Sequence, residues 1–80
     1  MGLNTTEYGR RMKARRALLG LSQQQLADLS GVNVNSIARY EAGINCPSLE
    51  AADRLARALG TSIDALVGLE PIERRKEVGA

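Results

Sequence analysis

The stretch from Ser22 to Glu41, SQQQLADLSGVNVNSIARYE, leaves the chain little choice, because two short helical patterns are joined there by a single glycine. Ser22 carries the hydroxyl of a helix N-cap, and Gln25 three positions on completes a capping box, so a helix begins at Gln23. Its inward face carries Leu26 and Ala27 with Leu29 beside them. The pattern fails at Ser30-Gly31, where glycine can take a positive φ without a Cβ clash. Val32 is the large apolar residue between that turn and Asn33, and it is expected to pin the turn to the core. Asn33 then caps a second helix, Val34 to about Ala42, which buries Ile37 and Tyr40 and stops at Gly43.

The outer face of this second helix has its own chemistry. Asn35 and Arg39 stand at i and i+4 and so project from one side, with Val34 at the helix start and Ala38 too small to obstruct them. An asparagine can bond bidentately to an adenine edge and an arginine to a guanine edge. A small apolar group can lie against a thymine methyl in the major groove. Val34, Asn35 and Arg39 are therefore the candidate base readers. Taken singly, either polar residue is more often an ordinary solvated side chain; the complete two-helix context is what lifts them above that reading.

The run RRALLGLSQQQLADLSGVNVNSIARYEAGINCPSLEAADRLARALGTSIDALVG resembles the XRE-type helix-turn-helix domain of phage Cro proteins and phage repressors. The matching landmarks are Arg16, Gly20-Leu21-Ser22-Gln23, Leu26-Ala27, Gly31-Val32, Ser36-Ile37, Glu41, Gly43, Pro47-Ser48-Leu49, Leu55-Ala56 and Ala58-Leu59-Gly60. Periodicity alone gives only a small helical domain. The resemblance implies an all-α fold, a compact lambda-repressor-like bundle of five helices that binds operator DNA as a two-fold dimer. It also implies an ion pair between Arg16 and Glu41, tying the first helix to the end of the reading helix. At Gln23 it places a glutamine that bonds a DNA phosphate, where a helix N-terminus offers unpaired N–H groups and the positive end of its dipole. Ser22, Asn33 and Ser36 are further phosphate candidates. The loop Gly43-Ile44-Asn45-Cys46 is expected to supply main-chain N–H groups and the Asn45 amide. Many relatives carry lysine or arginine in that loop and this chain does not, so more of the phosphate affinity falls to Arg10, Arg11 or Lys13.

Charge distribution agrees with that division more than the overall net of +2 does. Residues 1 to 45 hold Arg10, Arg11, Lys13, Arg15, Arg16 and Arg39 against Glu7, Asp28 and Glu41, while residues 46 to 80 are slightly acidic. Phosphate binding calls for positive charge on the reading half; a solvated basic helix accounts for part of it whatever the function.

Eighty residues make one domain, near the lower limit for folding unaided. With no Phe or Trp, the core must come from Leu, Ile, Val, Met, Ala and the two tyrosines, a set that suits packed helices. Residues 1–5 are expected to form a flexible arm, with Asn4 or Thr5 capping a helix over about 6–19. Tyr8, Met12 and the stem of Arg16 share one side of it, and of Leu18 and Leu19 one is expected in the core and the other partly exposed. Further helices are expected over 23–30, 34–42, 49–59 and 63–67. Pro47-Ser48 opens the fourth, whose core stripe is Leu49, Ala52, Leu55, Ala56 and Leu59. In the fifth, Ile63, Leu66 and Val67 are more apolar surface than so small a domain covers. With Leu69 they are the expected dimer interface. Residues 69–80 read as a partly mobile charged tail.

The function classes separate cleanly. No histidine and a single cysteine, Cys46, leave no Cys-His pair, no histidine base and no zinc set, so neither an enzyme nor a metal or other cofactor is expected. Cys46 reads as a structural thiol. No apolar run approaches membrane-spanning length, so the expected setting is cytoplasmic, with no membrane and no small-molecule substrate. The leading expectation is a homodimeric regulator of double-stranded DNA, a repressor or restriction-modification controller reading a palindromic operator. The alternative is a protein-interaction module, such as an antitoxin, that holds a partner through its fifth helix.

Overall fold

The computed structural model describes residues 5–68. The arm residues before Thr5, the Asn4 cap, Leu69 and the tail to Ala80 fall outside the described residues. Within them the chain is all helical: α1 Thr5–Leu18, α2 Gln23–Ser30, α3 Val34–Glu41, α4 Leu49–Ala58 and α5 Ile63–Val67. Thr5, assigned to the arm from sequence, is already the first residue of α1, and Ala42 caps α3 instead of extending it.

Local chemistry sets the helix starts. The Ser22 hydroxyl accepts from the Gln25 backbone N–H at 3.0 Å while Ser22 N–H donates to the Gln25 side chain at 2.8 Å, a reciprocal capping box. Asn33 caps α3, its Oδ1 accepting from Asn35 N–H at 2.7 Å. Ser48 and Ser62 do the same for α4 and α5, accepting from Ala51 and Ala65. Gly31, at φ +76°, turns the chain between α2 and α3. Buried Val32 anchors that turn, its N–H donating to the Ser30 hydroxyl at 3.1 Å.

Packing then joins the pieces. α1 lies on α3 and α5, α2 lies on α3 and α4, and α4 meets α5, all around the fully buried Tyr8, Met12, Leu26, Ile37, Leu55 and Leu59. Three expectations about this core need correction. Leu29 is exposed, because the buried stripe of α2 runs Leu26, Ala27, Ser30 and leaves Leu29 off its edge. Leu49 is 77 % exposed, since it opens α4 one turn before the covered stripe begins at Ala52. Leu18 and Leu19 are both exposed at the end of α1, and neither joins the core. Tyr40 is half-buried and packs against the core edge.

Candidate nucleic-acid interface

The placement of α3 begins with a buried charge. Arg16 and Glu41 form a bidentate pair, Nε to Oε2 at 2.7 Å and Nη2 to Oε1 at 3.0 Å, with side chains only 14 % and 4 % exposed. The Arg16 Nη1 also donates to the carbonyl of Leu21 at 2.7 Å, and the Gln23 Nε2 donates to Glu41 Oε1 at 3.0 Å. The Arg16–Glu41 pair with these two further bonds thus ties together the end of α1, the α1–α2 loop, the start of α2 and the end of α3. The hydrogen bonds to Glu41 raise the Arg16 guanidinium pKa above its ordinary value, against the opposing effect of burial, with the charge of Glu41 adding to the rise.

Steric contact reinforces that tie. Gly9 is buried inside α1, where glycine costs about 0.5–1 kcal/mol relative to alanine. A Cβ at this position would collide with the carbonyl oxygen of Tyr40 and come within 2.8 Å of that of Glu41, so the glycine lets α1 cross directly over the last turn of α3. The sequence reading missed it; a glycine inside an otherwise helical run was the available signal. Arg15 was also passed over. Its guanidinium donates to the carbonyls of Leu59 and Gly60 at 2.9 and 3.2 Å and so closes the C-terminal end of α4.

The outer face of α3 is built differently. Asn35 and Arg39 are exposed and, among the described residues, neither side chain has a partner. Every other described arginine is engaged within the chain: Arg10 and Arg11 by Glu7, Arg15 by the α4 carbonyls, Arg16 by Glu41, Arg54 by Glu50 and Arg57 by Asp53. Asn35, Ala38, Arg39 and Ile44 line an open hollow of about 430 Å³. Val34 packs partly against the core, and Ser36 is half-buried.

The expected phosphate contacts are redistributed. Ser22 and Asn33 are exposed, each with its side-chain oxygen occupied as a cap. The amide nitrogen of Gln23 is already on Glu41, so its first task is internal. The expected main-chain donors of the Gly43–Cys46 loop are largely consumed by the end of α3. Gly43 N–H bonds Tyr40 at 3.1 Å, Ile44 N–H bonds Arg39 at 3.0 Å, and Asn45 N–H points at the same Arg39 carbonyl at 3.5 Å. The exposed Asn45 side chain remains available. Arg11 stands on the α5 side, where it packs against Gly68 and lines a hollow with Ala14, Leu18 and Ala65. Of the expected dimer residues, Leu66 needs correction: it is 3 % exposed, its surface already spent on the chain's own core. Ile63 and Val67 are half-buried and keep some surface free.

Comparison with known proteins yields a consistent set. The helix-turn-helix family model HTH_3 matches residues 12–66. Over 60 residues the chain is 37 % identical to an SPbeta prophage-derived uncharacterized HTH-type transcriptional regulator, YonR of Bacillus subtilis, a match covering 75 % of this chain and 56 % of the relative. Over 68 residues it is 32 % identical to the cryptic phage CTXphi transcriptional repressor RstR of Vibrio cholerae, covering 85 % and 61 %. The chain therefore spans less than two thirds of either relative's length. Among solved structures it is similar to the restriction-modification controller protein C.AhdI from Aeromonas hydrophila, with a TM-score of 0.75 and 34 % identity over 78 % of this chain and 94 % of that one.

Proposed function

Because the chain belongs to the helix-turn-helix family HTH_3, we propose that it is a sequence-specific regulator of transcription that lays α3 in the major groove of double-stranded DNA. The observation that carries this reading is Arg39. Among the described residues it is the arginine with no partner inside its own chain, and it shares one helix face with the equally unpartnered amide of Asn35. Leaving a guanidinium free beside an amide on an exposed helix suits bidentate contact with base edges, guanine for Arg39 and adenine for Asn35.

Backbone contacts position that face. The first N–H groups of α2 precede its hydrogen-bond ladder, and with Ser22, Asn33 and the Asn45 amide they lie beside α3, joined by Ser36 in its first turn, where phosphates on either side of the groove would fall. Arg10, exposed on α1 while paired with Glu7, adds a positive charge from that helix. A homodimer reading a palindromic operator completes the proposal. Two copies of α3 roughly 34 to 36 Å apart would enter successive major grooves, with the free surface of Ile63 and Val67 on α5 contributing to the contact between copies. Occlusion of polymerase would make such a dimer a repressor, the role named for RstR; a controller role like that named for C.AhdI uses the same surface.

Selection of bound sequences from a random double-stranded pool, at about 0.15 M salt, tests the proposal directly. The expected product is an inverted repeat with half-sites one helical turn apart. Recovery of no motif, with binding that vanishes as salt rises, would reduce the interaction to backbone attraction and overturn it.

A further inference from the structure

α1 and α5 lie side by side without closing the space between them. Arg15 of α1 reaches the carbonyls of Leu59 and Gly60 just before α5, and Arg11, one turn earlier, lies against Gly68 just after it, where a Cβ would stand 3.3 Å from the guanidinium. Both arginines line a hollow of about 510 Å³ with Ala14 and Leu18 of α1 and Ala65 and Leu66 of α5. Leu66 is buried and Leu18 is 73 % exposed. A lone exposed leucine needs no explanation on a protein surface. This one forms a wall of a hydrocarbon hollow with positive charge at its rim. Arg15 bonds to carbonyls and, among the described residues, has no carboxylate beside it.

The chain itself carries the complement to that hollow. Gly68, at φ +82° with its N–H on the Ala65 carbonyl at 3.3 Å, ends α5 beside Arg11, at one end of the hollow. The next five residues, 69–73, read LEPIE. Pro71 cannot continue a helix and holds the residue before it extended. Ile72 stands between the carboxylates of Glu70 and Glu73, and no positive charge interrupts the run. Five extended residues reach about 17 Å, against about 10 Å from Arg11 to Leu18 along α1. We infer that residues 69–73 fold back over the α1–α5 hollow, seating Ile72 against Ala14 and Leu18 and facing Glu70 and Glu73 toward Arg11 and Arg15. The segment is then a strap that clasps α5, a helix of five residues, to α1. Another copy of the chain carries the same residues, but a tether this short gives the chain's own segment an effective concentration of about millimolar.

The test uses the full chain with Cys46→Ser, so that the introduced thiols are the only ones present. Leu18→Cys with Ile72→Cys is compared, under mild oxidation, against Ala17→Cys with Ile72→Cys. Ala17 is exposed next to Leu18 but on another face of α1, so a segment that docks nowhere reaches both alike. The expected result is a disulfide within one chain, formed about tenfold faster with Leu18→Cys than with Ala17→Cys. In the otherwise unaltered chain, Ile72→Ser should lower the thermal midpoint by about 4–8 °C, and Val78→Ser, farther along, should leave it within about 1 °C. Equal rates for the two pairs, or an unchanged midpoint for Ile72→Ser, overturns the strap. A disulfide between chains also overturns it, by making a second copy the occupant of the hollow.

Discussion

The two ends of α3 are treated in opposite ways by the rest of the chain. At its C-terminal end, Glu41 is gripped by Arg16 and Gln23, the carbonyls of Tyr40 and Glu41 lie under Gly9, and the following loop folds back onto Arg39. At its N-terminal end the Asn33 cap is local, and along the outer face Asn35 and Arg39 are left without partners among the described residues. A reading helix must be held in place and must also keep its contact side chains free. This chain separates the two demands along one eight-residue helix, so substitutions at the held end should act on folding and those on the free face on binding.

The largest expected effect is at the held end. Glu41→Ala leaves the Arg16 guanidinium without its carboxylate in a nearly closed site and should cost about 3–5 kcal/mol, read from urea unfolding. Replacing both partners by apolar residues of similar volume should cost far less, and additive losses in the double-mutant cycle would show that the pair contributes no coupling. Gly9→Ala comes next, at about 3 kcal/mol despite alanine's better helix propensity. The new Cβ meets main-chain carbonyls, which no side-chain rotation can move aside. A Gly9→Ala protein as stable as wild type would mean that α1 does not cross α3 so closely.

Those two sites also mark how far the sequence could be read. Helix ends were legible because capping is local: Ser22 with Gln25, Asn33, Ser48 and Ser62 announce their helices within four residues. The Arg16–Glu41 pair was legible only through family resemblance, since no periodicity links positions so far apart. Gly9 announced itself only as a glycine inside a helical run, and Arg15 not at all. Their roles depend on which carbonyls the fold brings over them, and composition carries no trace of that. Leu29 and Leu49 failed for a related reason: helical spacing marks an apolar stripe but not where the covering helix stops. Gln23 shows the same limit within the candidate interface, because a glutamine at a helix start suits a phosphate and a neighbouring carboxylate equally well.

Tyr8, on the α1 side of the held end, gives a smaller, pH-dependent effect. Its ring is 1 % exposed, and its hydroxyl has no hydrogen-bond partner among the described residues. Burial pushes its pKa up to about 12, with Cys46 and Tyr40 adding to the shift. Between pH 10 and 12 the unfolded phenol loses its proton while the folded one keeps it, so the unfolded state binds fewer protons and stability falls as pH rises. The loss across that window should be about 2–3 kcal/mol. Tyr8→Phe should remove this part of the alkaline decline and cost little at neutral pH, since no hydrogen bond is given up. A decline of equal steepness in both proteins would mean that another group causes it.

The smallest expected change in stability is on the free face, and there it is the contrast that matters. Arg39→Ala should alter the urea midpoint by no more than about 0.5 kcal/mol, because the side chain is exposed and has no partner among the described residues. On the selected operator the same substitution should cost about 1–3 kcal/mol of binding and relax preference at one base position. Gln23→Ala provides the intermediate case. It should weaken binding to all sequences more evenly and also lower stability, because its amide nitrogen helps hold Glu41. Arg39→Ala would break the comparison if it destabilised the fold as Glu41→Ala does, for then the reading face would itself be part of the clamp. If it left both stability and base preference unchanged, the unpartnered guanidinium would be an ordinary solvated side chain and the contact face would have to lie elsewhere on the molecule.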